Sequence, residues 1–184
     1  VNGLPQSLSV GGAELPIRAD FRNVLRIFEA LADARLSDRE RAFVMLRRLY
    51  AAPLRPEDAE EALKKACWFC DGGDMPKTEP ESVRMLDWKH DESMLIPAVS
   101  RAAGVPDVRA LPFLHWWSFL GLFCEIGDGL FSAVMQIRRK RAQGKKLDKA
   151  EREFLRKNAA AVLLRTDEEQ AAIDETAAFL ETIT

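Results

Sequence analysis

The chain has one tyrosine, two histidines and three cysteines in 184 residues, and its 27 basic side chains nearly balance 29 acidic ones. Each scarcity excludes something. An odd, small number of cysteines supports no disulfide framework, which makes a reducing cytoplasm the expected compartment. A net charge of -2 gives no overall attraction to nucleic acid or to an anionic membrane, so such a role needs a local patch. The longest apolar run, Ala110 to Cys124, contains Pro112, His115 and Ser118 and falls short of the roughly 20 residues of a spanning helix. It reads as a core helix. The chain opens without the basic and then apolar profile of a secretory leader.

What is present is a globular balance of 47% hydrophobic and 30% charged residues, enough for one well-cored domain. Leu8 and Val10 share a face, Gly11-Gly12 breaks the run, and Leu15 and Ile17 resume the period of two, which predicts a small β-hairpin. Pro5 and Pro16 keep it at an edge or lying on helices. Asp20 N-caps a first helix, with Phe21, Val24, Leu25, Phe28 and Leu31 on one stripe, that ends near Asp33. Ser37 and Glu40 form a capping box for a second, whose apolar face runs Phe43, Leu46, Leu49 and Tyr50 to the break at Pro53. Pro56 and the acids Glu57, Asp58, Glu60 and Glu61 open a third, which Gly72-Gly73 closes.

Asp71 to Glu81 lacks apolar period and is expected to be an exposed, mobile connection. A fourth helix is expected from about Trp88 to Ala103, kinked or split at Pro97. Pro112 is expected to open a fifth, carrying Leu114, Trp117, Leu120 and Leu122, and Leu130 to Arg141 forms a sixth with Val134 and Ile137 inward. Asp148 with Glu151 starts a seventh, and Thr166 with Glu169 an eighth. The reading is mainly α: a compact bundle of seven or eight helices with a small N-terminal β-hairpin. Residues 1–165 form a single helical domain, and 166–184 form an acidic C-terminal helix with six acids and no base. Arg138 to Lys157 holds ten bases against three acids, so the two segments either pair or the acidic one protrudes as an arm.

No constellation points clearly to chemistry. Cys67 and Cys70 with His90 and His115 could supply four zinc ligands, but both cysteines sit in a helical pattern and the spacing of the histidines matches no zinc motif. His115 has the residue type of a general base, yet no nucleophile or carboxylate stands beside it, and a hydrogen-bonded core histidine is the simpler reading. Gly11-Gly12 lacks a phosphate-binding pattern and reads as a turn. Arg138, Arg139, Lys140, Arg141, Lys145 and Lys146 could hold an anion, although bases at a helix C-terminus also complement its dipole while staying solvated. Adjacent Trp116 and Trp117 point about 100° apart, so one is buried while the other lies toward the edge of the stripe.

Ile17-Arg18-Ala19-Asp20-Phe21-Arg22, Cys67-Trp68-Phe69, Asp87-Trp88 with nearby Asp91, and Leu114-His115-Trp116-Trp117-Ser118-Phe119 follow one another after the Gly-turn hairpin. In that order they resemble the bacteriophage gene-product-fifteen family, encoded in the tail-module region of siphophages near the tape measure gene. The resemblance spans residues 4 to 165. It implies a tail assembly chaperone in the cytoplasm of the bacterial host, covering apolar stripes of the tape measure protein until tube subunits replace it. Asp20, Asp87, Trp116 and Trp117 carry over as signature positions, with N-capping by the acids and core packing by the aromatics as their simplest roles.

The expectation is therefore a noncatalytic protein with no cofactor or metal, and with partner-binding candidates at Asp20, Phe21, Asp87, His115, Trp116 and Trp117. Its partner is the tape measure or another tail protein, a homo-oligomer stays open, and neither membrane nor nucleic acid is expected. Alternatives are a structural virion component such as a connector or tail-completion protein, a nucleic-acid or host-factor binder using the basic segment, and a small hydrolase using His115.

Overall fold

Gly11 and Gly12 adopt φ 58° and 76°, the left-handed pair that a two-residue hairpin turn requires. They join β1 (Ser7–Val10) to β2 (Ala13–Pro16) in antiparallel register, with Leu8 opposite Leu15. These strands form a sheet of two, so both proline-bearing segments are edges as their missing N–H groups demand. Leu8, Val10 and Ile17 turn inward onto the helices. The computed structural model of the chain describes residues 3–73 and 85–164. The expected connection beyond Gly73 and the acidic stretch 166–184 lie outside the described residues.

The helices follow local sequence rules closely. Helix α1 (Phe21–Ala32) starts where the Asp20 carboxylate accepts the Arg22 backbone N–H, and buries Phe21, Val24 and Ile27. Both halves of the Ser37–Glu40 capping box are formed at the start of α2 (Asp38–Leu49), which packs on α1. A single 3-10 turn at Pro56–Asp58 leads into α3 (Ala59–Cys70), whose buried Ala62, Ala66, Phe69 and Cys70 face β1 and α2. Then come α4 (Glu92–Ala102), α5 (Trp116–Cys124) and α6 (Leu130–Ala142). Two short helices, α7 (Lys149–Lys157) and α8 (Ala159–Val162), finish the described chain, α7 opening on the Asp148–Glu151 capping box. One continuous core runs from Leu8 to Val162, giving a mainly α fold with an N-terminal hairpin.

Four expectations are corrected. Phe43 points outward at 63% exposure, because Met45 and Leu49 take the side of α2 that meets α1, leaving Phe43 in line with exposed Arg39 and Arg47. Helix α5 begins at Trp116 rather than Pro112. Pairing with the chain before α1 holds its lead-in extended: Phe21 N–H donates to the Leu114 carbonyl at 2.9 Å and Trp116 N–H to that of Ala19 at 2.8 Å. Its innermost side chains are consequently Trp116 and Phe119, with Trp117, Leu120 and Leu122 on the flanks. Finally, α4 starts one turn later than expected and runs unbroken through Pro97, which is exposed, so the Ser93 carbonyl it leaves unbonded lies on the solvent side.

Candidate functional site

Asp20, Trp116 and Trp117, three of the four signature residues, converge on one seam where the hairpin, α1, α3 and α5 meet. The Asp20 carboxylate does more than cap α1: its Oδ2 accepts the Leu114 N–H at 3.2 Å, and both oxygens grip the Arg22 guanidinium at 2.7 Å. Arg22 in turn donates to the carbonyls of Arg109 and Pro112. One acid and one base thus fasten the start of α1 to the lead-in of α5. Burial opposes ionisation of Asp20, but the Arg22 hydrogen bond and the backbone N–H groups outweigh it and hold the carboxyl below its ordinary value. Arg18 extends the same seam, closing the C-terminal end of α2 by donating to the carbonyls of Arg47, Arg48 and Tyr50.

His115 is the N-cap of α5. Its Nδ1 accepts the Trp117 N–H at 3.0 Å, which makes Nε2 the donor to the Pro5 carbonyl 2.9 Å away. Both ring nitrogens are therefore committed to the backbone, and the ring stands edge-on against Phe69 and Trp117. Trp116, 1% exposed, donates its indole N–H to the Cys70 carbonyl, and Trp117 donates to that of Phe69, each at 2.8 Å. Two adjacent tryptophans from one helix bond carbonyls at the end of another, that of Phe69 also accepting the Gly72 N–H. Gly73 permits this closeness, since a Cβ there would lie 2.8 Å from the Trp117 ring. Phe21 stacks on Phe119 at 4.7 Å between centroids, with Trp116 behind it.

Of the expected sites, Asp20, Phe21, His115, Trp116 and Trp117 come together here. Asp87 does not: it lies at the foot of α4, where Oδ1 accepts the N–H groups of Lys89 and His90 and shapes the turn before the helix. Cys67 is exposed and Cys70 buried, so the pair does not share one environment, and burial pushes the Cys70 thiol up to about 12. Among the described residues no group of three or more His, Cys, Asp or Glu could hold a metal ion, and no helix is long and apolar enough to cross a membrane.

The basic run is not one solvated face, as expected, but divides. Arg138 is 6% exposed and turned into the fold, where it grips both oxygens of buried Asp91 at 2.7 and 2.8 Å. It also donates to the carbonyls of Met85, Ala161 and Val162. Asp91 accepts the Asp87 N–H as well, so α4, α6, α8 and the segment entering α4 meet at one guanidinium. The physical reason is complementarity: a buried carboxylate and three backbone carbonyls supply the acceptors that a buried arginine needs. Lys140 pairs with Glu151 at 2.5 Å, whereas Arg139, Arg141, Lys145 and Lys146 are exposed. Nothing in the run itself separates Arg138 from its neighbours except helical phase: it is one residue from Ile137 and four from Val134 on the inward side.

A family model described as Bacteriophage Gp15 protein matches residues 1–164 of the chain. No curated protein and no solved structure matches it.

Proposed function

The chain belongs to the bacteriophage Gp15 protein family, which makes it a phage protein of structure or morphogenesis, and from that premise we propose that it is a noncatalytic tail assembly chaperone that binds the tape measure protein. The observation that supports this reading is where the seam sends its polar atoms. The Asp20 carboxylate, both nitrogens of His115 and both indole N–H groups meet backbone groups or Arg22, so the side chains with reactive character are used to join chain segments. Such a seam holds a platform rigid. Large apolar side chains meanwhile stand outside it, among them Leu4, Phe43, Phe113 and Leu130. They suit contact with an apolar stripe of a long partner helix in the host cytoplasm.

Co-expression with the tape measure polypeptide tests the proposal. A soluble tape measure that co-purifies with the chain at low and high salt is the expected result. An insoluble, unbound tape measure overturns it, and mass spectrometry of purified particles then asks whether the chain is instead a virion component.

A further inference from the structure

The end of the described chain leaves cations facing outward. Arg141, Lys145 and Lys146 follow the buried part of α6, Lys149 and Arg156 lie on α7, and all five are exposed without an ion pair among the described residues. Lys149, Arg152 and Arg156 recur at spacings of three and four on one side of α7. Glu151 and the half-buried Phe154 and Leu155 take the other side, where Glu151 meets Lys140 of α6.

The chain leaves this region heading into its most acidic stretch. Arg138 of α6 holds the carbonyls of Ala161 and Val162 at 2.7 and 2.9 Å, so the last described turn of the chain lies beside the basic helix. All 27 bases precede position 166, while six of the 29 acids follow it. The 19 residues from 166 onward reach about 28 Å even at the rise of a helix and about 60 Å extended, against about 20 Å for the length of α6. Reach is therefore no obstacle in either case.

We propose that residues 166–184 bind within their own chain to the cationic surface of Arg141, Lys145, Lys146, Lys149 and Arg156. A tether of this length gives an effective concentration on the order of millimolar, so individually weak surface pairs suffice to cover the surface. The same weakness makes the cover displaceable. Because the groups are exposed, the association weakens with salt over a screening length of about 8 Å at physiological ionic strength.

Zero-length carbodiimide coupling of the full chain, as an equimolar mixture of ordinary and 15N-labelled protein, reads this contact directly. The expected products are amide links from Glu168, Glu169, Asp174 or Glu175 to Lys145, Lys146 or Lys149, each within a single isotopic form. Their yield should fall at least fivefold in 0.5 M NaCl. It should fall about as far in full-length Arg141→Gln/Arg156→Gln, which keeps every lysine; an unchanged melting transition shows that this variant is folded. Links spread equally to Lys64, Lys65 and Lys89, links found only between isotopic forms, or no link from the acidic stretch at all would each overturn the proposal.

Discussion

The seam around Asp20 and His115 and the clamp around Arg138 both join segments far apart in sequence, with opposite chemistry. In the seam several buried and half-buried groups share the bonds to backbone, and aromatic rings fill the space between them. In the clamp a single buried guanidinium serves one carboxylate and three carbonyls. A distributed junction degrades by steps when one member is removed. A concentrated one fails at once, because removing either charge strands the other in a place that water does not reach.

The largest effect is therefore expected at the clamp. Arg138→Ala should cost about 3 to 5 kcal/mol, since it takes the guanidinium from the buried Asp91 side chain as well as opening a cavity. The double variant Arg138→Met/Asp91→Leu should recover part of that loss, because no buried charge remains although the three carbonyls and the Asp87 N–H lose their partner. Urea unfolding of the three proteins checks it, and a single variant within about 1 kcal/mol of the parent would show that the pair is not buried in solution.

Next in size is the seam's half-buried tryptophan. Trp117→Ala should cost about 2 kcal/mol, below the 3 to 5 typical of a fully buried aromatic such as Trp116, since part of its ring already meets solvent and one hydrogen bond is lost. Equal losses at Trp116 and Trp117 would remove the distinction between core and flank.

Charge in the seam gives a smaller, pH-dependent term. The Asp20 carboxyl lies below its ordinary value in the folded chain, so its contribution is complete above the unfolded value near 4 and disappears as pH falls through the folded one. Asp20→Asn keeps a cap-forming side chain and loses the charge. It should be less stable than the parent by about 1 kcal/mol at pH 6, and the gap should close progressively as pH falls below the unfolded value near 4. A gap that is constant with pH would mean that the Arg22 ion pair contributes nothing.

These residues also mark how far sequence alone could read the molecule. Capping boxes at Ser37 and Asp148, the Gly11-Gly12 turn and the inward Val134 and Ile137 are local rules, and each operates where the spacing places it, while the α1 stripe holds at Phe21 and Val24 but centres on Ile27, leaving Leu25, Phe28 and Leu31 on its flanks. The late start of α5 is set by Ala19 and Phe21, more than 90 positions away, and the inward turn of Arg138 by Asp91, 47 positions away. The His115-Trp116-Trp117 string signals its importance through rare residue types. Its task of satisfying Pro5, Phe69 and Cys70 carbonyls becomes visible only once three elements are brought together.

Phe43 supplies the smallest effect and the sharpest contrast with the seam, where every aromatic ring touches another. It stands 63% exposed on α2 between exposed Arg39 and Arg47, one turn to either side. Truncating a side chain that buries so little removes almost no apolar area from the folded state, so Phe43→Ser should shift stability by no more than about 0.5 kcal/mol. An aromatic kept on the surface at no gain to folding is the kind of group that anchors partners, and arginines beside it strengthen such anchors. Phe43→Ser should therefore leave the urea midpoint unchanged while reducing recovery of the co-expressed tape measure polypeptide. Unchanged midpoint with unchanged recovery would place the partner contact elsewhere on the surface, and a lowered midpoint would mean that the ring packs in solution.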